Sequence, residues 1–337
     1  MRFTRTLTGL AGVLALALVG GANGQAEAQD DLRIAMVVKS LGNNFFEAAR
    51  DGGQEAAEEL GNVEIIYTGP TSPTAEGQIE TINSLIAQQV DAIVVSANDP
   101  DALVPTTRRA MQRGIPVISF DSGISADGRL MHLNPSNNEL IGRKQIEMIS
   151  ETLGGEGDIA ILSATAQATN QNIWIEEMEA VLEEDDYSGL NLVDVVYGDD
   201  QSDKSYREAV GLIRSHENLR GIIAPTTVGI TAAAQAVADE ELIGDVYVTG
   251  LGLPSEMAGH VESGAVESFA IWNPIDLGYT AVHLGYQFAT GDFEGAEGEE
   301  IPAGRMGTIT IGEGGEAAMA EPFEYNAGNV QDFVDVF

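Results

Sequence analysis

The chain has 337 residues, 44% of them hydrophobic, no cysteine, and a formal net charge of −37. That apolar share is enough to build packed cores and excludes an intrinsically disordered chain. The acidic surplus argues against nucleic acid and anionic lipid as partners, and the missing cysteine excludes disulfides, thiol catalysis and a cysteine-borne lipid anchor.

In chain order, residues 1–28 read as a signal peptide. Arg2 and Arg5 form a basic start, Leu7 to Val19 an apolar stretch, and Ala26-Glu27-Ala28 a small-residue cleavage site. Cleavage after Ala28 leaves 309 residues carrying 14 basic and 52 acidic side chains, a net charge of −38. The apolar stretch is short for a membrane span, and no later segment is long and apolar enough to replace it. A soluble protein of the periplasm, with no direct membrane insertion, is expected.

Short apolar runs then alternate with amphipathic helices. Ile34 to Val38 reads as a strand buried on both faces. The polar loop Lys39 to Asn44 follows it, and Phe45-Phe46 open a helix that runs to Leu60. Val63 to Tyr67 is the next strand, followed by a helix with Ile79, Ile82, Leu85 and Ile86 on one face. Ala92 to Ser96 runs into Ala97-Asn98-Asp99-Pro100, where Asp99 fits an N-cap and Pro100 the first helical position. Ile115 to Phe120 ends on Asp121-Ser122-Gly123.

The pattern then restarts. Gly157 to Leu162 is a strand, Ser163 to Asn172 a polar loop, and an aromatic-bearing helix begins near Trp174. Strands follow at Leu192 to Val196, Gly221 to Ala224, Val246 to Thr249 and Ser268 to Ile271, with helices between them. Repeated βα units demand parallel sheets with helices on both faces, and this length favours two lobes. The first lobe is expected to take residues 31–132 plus about 274–300, and the second 134–272 plus part of the C-terminal tail. Gly128 to Pro135 is the expected first crossing, Asp276 to Thr290 a returning helix, and Gly291 to Gly304 a surface loop. Several crossings would form a hinge beneath a single ligand cleft.

No catalytic constellation is visible. His132, His216, His260 and His283 are dispersed without metal-ligand spacing. Nucleophile-elbow and phosphate-loop motifs are absent, and Gly250-Leu251-Gly252 lacks the third glycine of a dinucleotide site. No catalytic residue, metal or cofactor is expected. What remains is polar and aromatic chemistry at strand ends, where open α/β sheets bind ligands. The candidates are Lys39, Phe45, Phe46, Asp121, Asn170, Gln171, Pro225, Thr227, Trp272 and Asn273. Carboxylate, ammonium and amides suit hydroxyls, and flat rings suit the CH faces of a small polyol. Any one of them also has an ordinary reading: a helix entry, a cap, or a core tryptophan.

The signal peptide, the two lobes and the segments VVKSLGNNFF, SANDPDALVP, ISFDSG, TNQNIWIEEM, YGDDQSDKSYREA, GLGLPSE and AIWNPIDLGY resemble type I periplasmic sugar-binding proteins of ABC importers, the ribose-binding class. Within it the chain is most similar to rhamnose-binding proteins and their autoinducer-2-binding relatives. The resemblance implies two Rossmann-like three-layer αβα lobes, a monomer, and a membrane permease as partner. It maps the autoinducer site onto Lys39, Asp121, Asn170, Gln171, Pro225 and Thr227. Asn170 and Thr227 depart from that group's Asp and Ala, and Asn273 also replaces an Asp. Ser122 and Gly252 stand where ribose binders carry Arg and Asp. L-Rhamnose or a similar deoxyhexose is therefore the expected ligand. Autoinducer-2 is the alternative, and a sugar-processing enzyme or a repressor-type sensor domain a more remote one.

Overall fold

The computed structural model describes residues 31–291 and 293–337, so the expected signal peptide lies outside the described residues. The strands β1 (Leu32–Val37), β2 (Val63–Thr68), β3 (Ala92–Val95), β4 (Val117–Phe120) and β5 (His132–Asn134) come first, with α1 (Asn44–Leu60), α2 (Ala75–Gln88) and α3 (Val104–Met111) among them. Next come α4 (Asn138–Leu153), β6 (Gly157–Ser163), α5 (Thr169–Leu182), β7 (Leu190–Tyr197), α6 (Ser202–Ser215), β8 (Leu219–Ala224), α7 (Thr227–Asp239), β9 (Tyr247–Gly250), α8 (Pro254–Ser263) and β10 (Ser268–Ile271). The chain ends with α9 (Pro274–Thr290), β11 (Glu300–Pro302), β12 (Thr308–Thr310), β13 (Glu316–Ala318) and β14 (Phe323–Asn326).

Two parallel sheets result, ordered β13-β5-β4-β3-β1-β2 and β7-β6-β8-β9. β10 lies beside β9 through the Leu251–Ala270 bridge and pairs antiparallel with β14. The chain thus leaves the first sheet after β5, and α9 returns to pack on α1. β13 then joins the first sheet, and β14 pairs beside the second. Strand composition explains the layers. Ile34 and Met36 enter one core with Val94, Ile118 and Phe120, while Ala35 and Val37 enter another with Ile93, Val95 and Val117. Both faces are buried, which is why the strands read as unbroken apolar runs.

Helix ends follow capping chemistry. The Asn43 and Thr74 side chains accept from Phe45 N and Gly77 N, and Gly61 closes α1 at φ 75°. α1 and α9 touch backbone to backbone at two glycines. A Cβ at Gly52 would lie 1.8 Å from the Ile275 carbonyl oxygen, and one at Gly278 would lie 1.8 Å from that of Ala49. That contact fixes α9, and Trp272 just before it, against the helix that carries Phe45 and Phe46.

Three local expectations need correction. Asp99 Oδ1 accepts from the Asp101 and Ala102 amides at 2.9 and 2.8 Å, but it caps a turn; α3 starts only at Val104. α5 begins at Thr169, so Asn170 and Gln171 sit in its first turn and not in the preceding loop. The stretch 291–304 is not all loop, since β11 pairs antiparallel with β12. The expected crossing, Gly128 to Pro135, carries β5, after which the chain leaves the first sheet.

Candidate ligand-binding site

Each sheet has a point where strand order reverses. β1 lies between β2 and β3, and β6 between β7 and β8. Loops leaving such points diverge and open a crevice at the strand C-termini. The two crevices face each other across a small cavity, of about 40 Å³, lined by residues of both sheets.

From the first sheet come Lys39 after β1, Phe45 and Phe46 on α1, and Asp121 after β4. From the second come Asn170, Gln171 and Trp174 on α5, Asp200 after β7, and Pro225, Thr226 and Thr227 between β8 and α7. Leu251, Ile271 and Trp272 complete the wall near the crossing strands, with Asn43 at the edge. Nine of the ten sequence candidates line this cavity. Asn273 does not: its Oδ1 accepts from the Ile275 and Asp276 amides at 2.9 and 3.4 Å, and its Nδ2 donates to Asp276 Oδ2 at 2.9 Å. Proline at the first position of α9 and a capping asparagine before it are helix-start chemistry, and that use engages both ends of the side chain.

The polar centre is tightly connected. Asp121, held at φ 59°, accepts from Ser96 Oγ at 2.6 Å and from Asn170 Nδ2 at 2.9 Å. Lys39 Nζ donates to Asn170 Oδ1 at 3.2 Å and lies 4.0 Å from Asp121 Oδ2. Burial pushes the Asp121 carboxyl above the ordinary carboxylate range. Lys39, Ser96 and Asn170 pull it back, and Asp200 adds to the rise. Gln171 Oε1 accepts from Ser163 Oγ and the Ala164 amide, each at 2.7 Å, which leaves the NH₂ end of the amide as a donor.

Behind these groups stands a layer that sequence reasoning missed. Gln78, fully buried, donates to Val38 O at 3.1 Å and to Ser96 O at 2.7 Å, and accepts from the Asn98 amide at 2.8 Å. Asn98 Nδ2 donates to Lys39 O at 2.9 Å. These bonds tie the loops after β1 and β3 together and so fix Lys39 relative to Asp121. Gln78 falls on the apolar face of α2, where a single amide among Ile and Leu is the signal available in sequence. Asp200 was missed because strand ends were read after β1, β4, β6, β8 and β10 but not after β7.

The apolar wall is a chain of rings. Phe45 meets Phe46 edge-on at 5.2 Å and Trp272 at 6.2 Å, and Trp272 meets Trp174 at 5.6 Å. Trp174 Nε1 donates to Asn138 Oδ1 at 2.8 Å, whereas the buried indole N–H of Trp272 has no partner.

The cleft is shut. Besides Lys39–Asn170 and Asn170–Asp121, Thr169 Oγ1 donates to Gly123 O at 3.1 Å and Asn44 Nδ2 to Glu256 Oε1 at 2.7 Å. Among the described residues no group of three or more His, Cys, Asp or Glu side chains could hold a metal ion. Buried donors and acceptors from two facing lobes, over aromatic walls, can hold a small polar molecule without transforming it.

The periplasmic binding protein domain family matches residues 34–292. The chain belongs to the periplasmic binding protein family. It is 26% identical over 259 residues to the D-allose-binding periplasmic protein of Escherichia coli, covering 74% of this chain and 82% of that one. The crystal structure of an ABC transporter solute binding protein from Clostridium phytofermentas with bound L-rhamnose superposes with a TM-score of 0.87 at 36% identity, over 91% of this chain and 99% of that one. LsrB from Clostridium saccharobutylicum in complex with AI-2 gives 0.85 at 20% identity, over 90% and 99%, a likeness of fold. By name two of these relatives are binding proteins, one for D-allose and one an ABC transporter solute binding protein holding L-rhamnose.

Proposed function

We propose that the protein is the periplasmic receptor of an ABC sugar importer, binding L-rhamnose or a similar deoxyhexose between its lobes and delivering it to the membrane permease. The observation that carries this reading is the cavity itself. Lys39 and Asp121 from one lobe and Gln171 and Asp200 from the other converge on a space walled by Phe45, Phe46, Trp174 and Trp272. Sugar hydroxyls buried there gain partners, which burial requires, and ring CH faces gain aromatic contacts. The 36% identity to a protein holding L-rhamnose supports the same choice of ligand. An autoinducer-2 receptor is the second reading, favoured by Lys39, Asp121, Gln171 and Pro225 keeping the type expected of that group. Asn170 and Thr227 stand against it.

In this reading residues 1–28 direct export and are removed, the receptor acts as a monomer without cofactor, and ligand drives closure about the crossing strands. Residues 31–132 with about 274–300, and 134–272 with part of the tail, move as the two bodies. A ligand that touches both lobes favours the closed form, the form the permease would recognise. Calorimetry with a monosaccharide panel and autoinducer-2 tests the ligand. Scattering with and without saturating sugar tests closure, which should reduce the radius of gyration. Heat with autoinducer-2 but none with L-rhamnose or any other sugar of the panel would replace the first reading by the second.

A further inference from the structure

Asp200 sits in a loop built to present it. Asp199 and Asp200 are consecutive left-handed residues at φ 54° and 49°, a conformation that aspartate tolerates better than most side chains. Gly198 N and Asp199 N donate to Ser163 O and Ala164 O at 2.8 and 2.9 Å, and Lys204 Nζ donates to Asp199 Oδ2 at 2.7 Å. Gly198 admits no side chain, because a Cβ there would lie 2.1 Å from Ser205 Oγ. The carboxylate reaches the cavity with Oδ1 held by Thr226 Oγ1 at 2.5 Å. Oδ2 receives no hydrogen bond from any described residue. Both oxygens of Asp121, by contrast, are already engaged.

Among the described residues Lys39 is the only Lys or Arg lining the cavity; burial pushes the Asp200 carboxyl up, as it does that of Asp121, and the charge of Lys39 and the bond from Thr226 pull it back toward the ionised form. We propose that Asp200 is the specificity-determining carboxylate of the second lobe: its Oδ2 accepts a ligand hydroxyl, and the second negative charge restricts the site to neutral sugars against acidic ones. The proposal rests on the sugar-receptor reading above and adds to it a residue and a ligand class. A sugar hydroxyl donates to Oδ2 and completes a charge-assisted bond, whereas a uronate carboxylate offers only acceptors to an acceptor. Rejection through an unpaired like charge is an effective source of selectivity. The bond from Thr226 makes Thr226 a positioning residue, since without it the carboxylate can turn away from the ligand.

The test is calorimetry on the wild type, Asp200→Asn and Thr226→Val, with L-rhamnose (or the neutral sugar that binds tightest) and D-galacturonate as probes, and thermal unfolding as a check on folding. The expected results are binding of the neutral sugar and none of galacturonate by the wild type. Asp200→Asn should bind the neutral sugar at least tenfold more weakly and recover measurable galacturonate binding. Thr226→Val should weaken the neutral sugar by a smaller factor, and it carries the test if Asp200→Asn fails to fold. Wild-type affinity in both variants, or a weakened neutral sugar with galacturonate still wholly rejected, would overturn the role given to Asp200 while leaving the receptor reading intact. A wild type that binds no monosaccharide would overturn the receptor reading itself, and this inference with it.

Discussion

Asn170→Asp is the sharpest probe of how the shut cleft is held. Asn170 is buried and faces two groups of opposite need. Its Nδ2 donates to Asp121 Oδ1 at 2.9 Å, and its Oδ1 accepts from Lys39 Nζ at 3.2 Å and from the Gln171 amide at 2.9 Å. Only an amide serves both sides at neutral pH. A carboxylate there would face Asp121 at about the same separation, a repulsion of roughly 6 kcal/mol at an effective dielectric constant of about 20. It would gain roughly 5 kcal/mol from Lys39 on the same scale. These nearly cancel, leaving the lost hydrogen bond to a charged acceptor, about 1.5–3 kcal/mol or roughly 10- to 150-fold in affinity. A proton shared between the two carboxyls would restore the bond, so the loss should depend on pH. Sugar affinity measured by calorimetry, or by the fluorescence of Trp174 and Trp272, should match the wild type near pH 5 and fall progressively below it by pH 8. A variant as tight as wild type at pH 8, or weaker by a factor that does not vary with pH, would refute this account of the contact.

Asp121→Ala should weaken sugar binding more than Phe46→Leu, because it strands Lys39, Ser96 and Asn170 without their acceptor, a loss of about 2–4 kcal/mol against under about 1.5 for the ring; equal losses would remove Asp121 from the site. Gly278→Ala should destabilise the fold by about 1–3 kcal/mol or more through collision with the Ala49 carbonyl, whereas Gly259→Ala, exposed on α8 with nothing within 4 Å, should be neutral or slightly stabilising; thermal unfolding compares them. His132 is buried between Ser119 and Asn134, and burial, together with the charge of Arg129, pushes its pKa down to about 4. The unfolded chain therefore binds the extra proton first as pH falls, so stability should drop between about pH 6.5 and pH 4, by roughly 3 kcal/mol from this group. Urea unfolding of His132→Gln should show a shallower fall across that window, to which His260 and His283, whose pKa values burial also lowers, contribute in the same direction; identical slopes would assign the acid sensitivity elsewhere.

Legibility in the sequence followed the physics of each feature. Strands buried on both faces announce themselves as apolar runs, so β1, β3, β4, β6 and β8 were read to within a few residues. Strand-end polar residues are conspicuous against such runs, and Lys39, Asp121 and Gln171 stood out for that reason. Asn273 misled because capping and ligand binding draw on the same side chains in the same place, and only the bond partners separate them. Asp200 escaped because it stands three residues past the end of β7, in the acidic run Gly198-Asp199-Asp200, which reads as an ordinary solvated loop. Gln78 and Asn98 act through main-chain carbonyls far away in sequence, and no local pattern reports such a pairing.

On the proposed closure, the hydrogen bonds across the cleft bear on how the receptor would tell loaded from empty. Lys39, Asn170 and Asp121 satisfy one another when the lobes meet, so this contact supports closure whether or not sugar is present. Were it the whole of the interface, an empty receptor would close as readily as a full one, and the permease could not distinguish them. Shifting a two-state equilibrium from 1:99 to 99:1 takes about 5.5 kcal/mol of preference for one state, and that preference must come from groups that closure alone leaves unsatisfied. Asp200 Oδ2 and the Trp272 indole N–H, on two residues that line the cavity, are such groups, each without a protein partner among the described residues. An acceptor and a donor left unpaired disfavour the empty closed form, and a ligand that supplies a donor to one and an acceptor to the other removes that penalty. A hydroxyl is both donor and acceptor, so a polyol answers the two groups where a hydrocarbon or an anion cannot.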